Sequence, residues 1–377
     1  GFQEGAVQVR LGTAVVADDG PFRGPDVYDS FENGGFVGNG TLQLGVPSGA
    51  GAGPVRVTTP GGTTAALTAA LSGAVATAVS GTPADPSAAS ANPGQTITLT
   101  GTGLPADPVF VFPTVDSSGR RGTVLVRAGA VNAEGTEAEI AVPDNAVSGV
   151  VHLVGDASGA GVRLQVVPVI TNGAVTSVGS DGFMTLRLDG AGFVEGSDTL
   201  YRVGARVVLD AGAESGPNVL DVFDTAFRRN AQSTLRVRMT DDAFGPVTVT
   251  TDGGTSAPFV TALASSDSVA ATGTPADPAQ ASANAGQTVI LRGTGLSSVR
   301  PVVVRYLDGS GALRYLMIAP TDVAADGASA NLLLPAFVNG AFEVQLLGSA
   351  SQPRLQIVPV LSTFDITGNS LRLTGRG

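Results

Sequence analysis

The stretch Gly94-Gln-Thr-Ile-Thr-Leu-Thr-Gly-Thr-Gly-Leu104 decides the fold. Ile97 and Leu99 fall on one side of an extended chain, and Thr96, Thr98 and Thr100 fall on the other. Alternation with period two predicts a strand with one face buried and one wet. The stretch returns as Gly286-Gln-Thr-Val-Ile-Leu-Arg-Gly-Thr-Gly-Leu296, at an offset of 192 residues. Superposing the two copies is expected to place Ile97 on Val289 and Leu99 on Leu291, all buried; exposure of Ile97 with burial of Thr98 would shift every facing assignment by one residue.

The same offset holds on either side. Gly24-Pro-Asp-Val-Tyr-Asp-Ser-Phe31 meets Gly216-Pro-Asn-Val-Leu-Asp-Val-Phe223, and Gly53-Pro-Val-Arg-Val-Thr-Thr59 meets Gly245-Pro-Val-Thr-Val-Thr-Thr251. Gly81-Thr-Pro-Ala-Asp-Pro86 recurs unchanged at 273–278. Leu164-Gln-Val-Val-Pro-Val-Ile170 meets Leu355-Gln-Ile-Val-Pro-Val-Leu361 at 191, one loop residue having been lost after Pro335. The chain is therefore two copies of one long repeat, the first thing to establish in any reading of fold.

Each period divides again, because a strand ending in Gly-x-Gly-[Leu/Phe] recurs at 101–104, 190–193 and 293–296, and begins once more at 375–377. The expected layout is A-B-A-B: units at 1–79 (lacking its first strand), 80–170, 171–271 and 272–361, with 362–377 as the first strand of a further A unit. Gly-Thr-Pro-Ala-Asp-Pro reads as a short stiff junction opening each B unit, since Pro fixes φ and bars helix. Turn signals at 61–62, 116–119, 252–254 and 308–311 separate the alternating runs, and no helical period is sustained. The predicted fold is all-β: tandem immunoglobulin-like sandwiches in an elongated array.

Composition narrows the chemistry. With 377 residues and 43% hydrophobic content, the chain has ample material for several cores. No Cys is present, which excludes disulfides, thiol catalysis and cysteine zinc sites. All 21 basic residues are Arg, which removes Schiff-base chemistry, the P-loop lysine and Lys–Asn isopeptide cross-links. A net charge of −11 argues against a nucleic-acid backbone as partner. The most apolar run, 65–79, is shorter than the ~20 residues a spanning helix needs and reads as a strand end, so no membrane insertion is expected. The opening Gly-Phe-Gln-Glu-Gly carries no basic-apolar-small export signal.

These features resemble the TIG domains, an immunoglobulin-like family shared by plexins and Rel-type transcription factors and common in bacterial surface proteins. Three motifs carry the resemblance: the strand ending in Gly-x-Gly-[Phe/Leu], the Val142-Pro143 and Leu334-Pro335 pairs ahead of Gly149 and Gly340, and the Val-Thr-Val-Thr-Thr-x-Gly-Gly-Thr-Ser hairpin at 247–256. The B units lack that hairpin and match less well. The Gly-x-Gly also has a direct physical reading, in which glycine allows positive φ and close backbone approach at a bulge.

Candidate sites are few. His152 lies on the face of Val150 and Val154, matched by Glu343 and Gln345 in the second copy, and is expected on the surface without a catalytic role. The acids are scattered over turns without a cleft-forming insertion, so no catalytic residues are assigned and no cofactor is required. Asp26, Asp29 and Glu32 recur as Asn218, Asp221 and Asp224, which makes Asp29 and Asp221 the candidate calcium ligands; turn formation by Asp is the competing reading. A chelator should lower the melting temperature only if that cluster holds calcium. Arg120-Arg121 and Arg228-Arg229 read as solvated loop charge, and Asn39-Gly-Thr41 as a chance glycosylation triplet.

The sequence supports a non-enzymatic structural repeat protein at the surface of a bacterium or secreted from it, as filament, sheath, stalk or surface layer. A glycan-binding or adhesive accessory array is the alternative, disfavoured by the absence of Trp and by only four Tyr. Leu371-Arg-Leu-Thr-Gly-Arg-Gly377 matches Leu186-Arg-Leu-Asp-Gly-Ala-Gly192, so the expectation is either a stretch of a longer continuous tandem array or a strand that completes the first unit of the next copy, with Leu371, Leu373 and Gly375 as the interaction residues of the head-to-tail joint. Leu371 and Leu373 are expected to enter a core there, with Arg372 and Thr374 facing water.

Overall fold

The computed structural model describes residues 7–12, 14–17, 27–29, 42–44, 53–67, 69–115, 120–156, 158–196, 199–210, 232–240 and 243–377. Every regular element among them is a strand. The chain forms two compact units, one of residues 1–169 with 251–255, the other of 170–250 with 256–377.

In the first unit the quoted stretch forms strand Thr96–Thr102, with Ile97 and Leu99 buried and Thr98 half-buried, as its alternation requires. It is flanked by Glu137–Ala141 and Ala70–Val75. A second sheet runs in the order Arg121–Arg127, Val109–Val115, Gly149–Leu153, Val162–Val166, Ser90–Ala91. The two sheets enclose Ile97, Leu99, Phe110, Phe112, Ile140, Leu153 and Leu164. The second unit repeats this sandwich: Ala262–Ser266, Thr288–Thr294 and Ser329–Leu333 face a five-stranded sheet containing Val302–Leu307 and Ala341–Gln345. Val289 and Leu291 are fully buried, so the two copies share one register.

Both B sandwiches start earlier than expected. Ala70–Val75, assigned to the A unit ending at 79, hydrogen-bonds to Thr96–Thr102, and Ala262–Ser266 pairs with Thr288–Thr294 in the same way. The chain then crosses to the opposite sheet, where Ser90–Ala91 and Ser282–Asn284 add parallel to the strands at 162–166 and 354–358. Gly-Thr-Pro-Ala-Asp-Pro lies inside this crossing and is no junction between domains. Period-two alternation announces a strand but not which strand it will pair with, which is why the boundary was displaced.

Buried amides hold the crossing down. Asn92 Nδ2 donates to Ser80 O and Val167 O at 2.9 Å each, and its Oδ1 accepts from Ser80 N at 2.8 Å. Gln165 accepts from Asp85 N and donates to Asp85 O, both at 2.7 Å. In the second copy Asn284 binds Thr272 and Val358, and Gln356 binds Asp277, with the same geometry. The amides satisfy backbone groups that leave one ladder before joining the next.

The A-type sandwich of the second unit pairs Phe183–Ala191 with Gln232–Arg238, and Leu200–Val203 with Arg206–Leu209 and Val247–Thr251. Val175, Leu186, Leu188, Tyr201, Val247 and Val249 are buried in its core. In the first unit the A-type sheet comprises Ala14–Ala17, Gln8–Leu11, Val55–Thr59 and Gly62–Thr63. Its Val7, Val9 and Leu11 are buried, but Val55 and Val57 are only half-buried where their counterparts Val247 and Val249 are fully enclosed.

The Gly-x-Gly signature has the predicted physical basis. A Cβ at Gly101 would lie 2.4 Å from Ala70 O, at Gly293 2.0 Å from Ala262 O, and at Gly375 2.3 Å from Val360 O. Each stands where a bulge brings a partner carbonyl across the strand.

Candidate assembly surface

Residues 362–377, expected as one strand, form a two-stranded hairpin that starts earlier: Val360–Thr367 pairs with Ser370–Arg376. Leu371 follows the pattern of Leu186, which lies in the second strand of the A sandwich rather than the first. Across the ladder Phe364 pairs with Leu373 and Ile366 with Leu371, while Asp365 pairs with Arg372. One face is therefore apolar and the other polar. Leu361, Phe364, Ile366, Leu371 and Leu373 are each between 58% and 68% exposed, whereas Leu186 and Leu188 are at 0%. Covering such side chains gains ~1.5–3 kcal/mol each.

A groove of ≈ 510 Å³ lies beside this hairpin, lined by Phe337, Asn339, Pro359, Leu361, Leu373 and Arg376. A second cleft of ≈ 540 Å³ in the same unit is lined by Asp181, Arg238, Tyr306, Arg314 and Tyr315 among others. Arg236 and Arg238 both lie over the Phe183 ring, 4.6 and 4.7 Å from its centre, and Arg236 pairs with Asp181. Sequence reading missed this cleft because the first copy has Thr114 and Thr123 where the second has Tyr306 and Tyr315.

Several turn carboxylates are held ionised. The Ser310 hydroxyl at 2.6 Å and the Arg314 guanidinium at 2.8 Å hold Asp308 far below the usual carboxylate range. The Ser87 hydroxyl lowers Asp85, the Phe183 backbone N–H lowers Asp181, and Arg292 lowers Asp267. A carboxylate depressed on folding contributes stability above its unfolded value near ~3.9, and that contribution is lost as pH falls through the folded value. Unfolding should therefore become easier below about pH 4. Asp308→Asn should remove part of that acid dependence, read as a flatter plot of melting temperature against pH.

His152 is half-buried rather than on the surface, with Nδ1 enclosed and without a hydrogen-bond partner. Its neighbour Val154 packs on Val7, Val9 and Leu11, so in this copy the face is covered at that end, while Val150 stays exposed. Asp29 ends the strand Val27–Asp29, and Asp221 lies outside the described residues together with Arg228, Arg229 and the 39–41 triplet. Among the described residues no three His, Asp or Glu side chains gather as a metal site. No described helix is long and apolar enough to cross a membrane, which leaves a β-barrel unaddressed.

No family model matches the chain, and no curated protein does. Among solved structures it is similar to a tetra-tandem repeat in the extending region of a large adhesion protein, at 19% identity over 94% of this chain and 92% of that one, with a TM-score of 0.17. The FN1–FN3 domains of chicken CNTN1 match at 11% identity over 74% and 97%, with a TM-score of 0.20. Titin domains I67–I69 match at 13% over 71% and 93%, with a TM-score of 0.16. The architecture itself, two-sheet sandwiches repeated along an all-β chain, is tandem immunoglobulin-like.

Proposed function

We propose that this chain is a non-enzymatic, TIG-like structural repeat of an extracellular or cell-surface bacterial array, and that copies join head to tail through the hairpin at 360–376. The uncovered apolar face of that hairpin carries the reading. The A sandwich of the second unit supplies the template, in which Leu186 and Leu188 share a core with Val247 and Val249. The half-covered Val55 and Val57 of another copy would meet Leu371 and Leu373 in the same way.

Side-chain volumes support this pairing. A Cβ at Gly173 would lie 3.2 Å from the Phe259 ring. By the repeat, Gly173 corresponds to Phe364 and Phe259 to Leu67, which is 73% exposed. The large residue has changed sides, so Phe364 would fill space that Leu67 leaves. Val55 bridges Leu67 as Val247 bridges Phe259, which places both at one position of the sandwich. A contact that joins unlike faces without closing produces a filament.

Sedimentation velocity tests the proposal. The unaltered chain should show species that grow with concentration, and Leu371→Asp with Leu373→Asp should sediment as a monomer with unchanged melting temperature. A monomeric unaltered chain at all concentrations would refute it. A glycan-binding role is the second reading, favoured by Tyr306 and Tyr315 beside Arg238 and Arg314; it predicts binding to an acidic oligosaccharide that Tyr315→Ala abolishes. Calcium at Asp29 and Asp221 remains part of the proposal, with a fall in melting temperature on adding EDTA as its test.

A further inference from the structure

The first unit contains a clamp made of two parts of the repeat. Thr82–Pro83 pairs antiparallel with Gly254–Thr255, with Pro83 opposite Gly254 and Thr82 opposite Thr255, and Ala84 N donates to Gly253 O at 3.2 Å. Two glycines are required there. A Cβ at Gly253 would lie 1.9 Å from Val166 O, and one at Gly254 would lie 2.2 Å from Thr82 O. Both are buried.

Among the described residues, each half of this clamp occurs a second time without its complement. The tip Gly61-Gly62-Thr63 repeats Gly253-Gly254-Thr255, and Gly62 adopts φ +130° against +132° for Gly254. Yet Gly61, Gly62 and Thr63 are exposed; nothing lies within 4 Å of a Cβ at Gly62, and only Thr59 Oγ1, at 3.6 Å, near one at Gly61. Thr274-Pro275-Ala276 repeats Thr82-Pro83-Ala84, but among the described residues no strand is seated on it. By the repeat, Ser148 and Val166, which enclose Gly253, correspond to Asn339 and Ile357, and Asn339 and Pro359 line the open ≈ 510 Å³ groove.

We propose that the edge at Thr274–Pro275 is a docking slot for the Gly61-Gly62-Thr63 tip of a second copy of this chain, by β-strand addition. The occupant follows from the first unit, where the same slot sequence takes the same tip sequence. The inference deepens the head-to-tail reading and rests on it: the copy whose Val55 and Val57 cover the hairpin would bring its own tip to this slot. It would add main-chain hydrogen bonds and fix the register of the joint.

The chain has no cysteine, so single cysteines report the contact directly. A mixture of Thr63→Cys and Thr274→Cys chains, treated with a short thiol cross-linker, should give covalent dimers at least about ten-fold above either variant alone. Thr82→Cys with Thr255→Cys in one chain is the positive control. Gly61→Val added to the Thr63→Cys chain should leave the melting temperature unchanged and remove the cross-link, because its side chain would meet the carbonyl equivalent to Val166 O. A mixture that gives no excess dimer while the unaltered chain assembles overturns the slot and spares the head-to-tail reading. A mixture that gives none while the unaltered chain stays monomeric overturns both. Cross-linking that survives Gly61→Val overturns the tip geometry.

Discussion

Replacing Gly293 by Val should destabilise the second B sandwich by about 3 kcal/mol or more, the upper range for forcing atoms into filled space. A Cβ there would stand 2.0 Å from Ala262 O, 3.0 Å from the Ala262 carbonyl carbon and 3.3 Å from Leu263 Cα. All three are backbone, so no side-chain rotation relieves the contact. The strand at 262–266 must separate from 288–294, which uncovers Leu263 beside Val289 and Leu291. Gly101→Val should act alike through Ala70 O at 2.4 Å. Gly309→Ala is the control, because nothing lies within 4 Å of its Cβ, and it should change stability by no more than about 0.5 kcal/mol. Thermal or urea unfolding reads all three; a Gly293→Val protein that melts with the unaltered chain would show that the bulge can open at no cost.

The second large effect concerns Asn92. Asn92→Ala should cost about 2–4 kcal/mol, because three hydrogen bonds are lost, leaving the buried Val167 carbonyl and the half-buried Ser80 N–H and carbonyl unpaired. Asn92→Asp separates the two halves of the role. It keeps an acceptor for Ser80 N but turns a carboxylate toward the Ser80 and Val167 carbonyls, so it should be no better than Ala at neutral pH. Asn284→Ala should repeat the effect through Thr272 and Val358. Amide hydrogen exchange locates the damage: protection should fall first at 76–91 or 268–283, while Thr96–Thr102 and Thr288–Thr294 hold. Uniform loss of protection would mean that the crossing does not open as a local unit.

Asn92 and Asn284 stand at the repeat offset, two residues before Gly94 and Gly286, so the signal for them was present in the sequence. Their role was not legible, because an Asn ahead of a glycine reads as turn chemistry until the backbone it spans is seen. Tyr306 and Tyr315 gave no repeat signal at all, since the first copy has threonines there.

What the sequence determined by itself is local or periodic. The alternation at 96–100 set the buried face, the 192-residue offset set the number of copies, and the Gly-x-Gly at Gly101, Gly293 and Gly375 marked bulges, because side-chain direction and glycine's missing Cβ act over a few residues. Tertiary structure alone decided which strands pair. It took Ala70–Val75 and Ala262–Ser266 into the B sandwiches, turned Gly-Thr-Pro-Ala-Asp-Pro from a junction into a strapped crossing, and doubled the last strand into a hairpin. Those outcomes depend on which distant edge and which apolar face are available to a strand, and a period of two is the same whichever partner it finds.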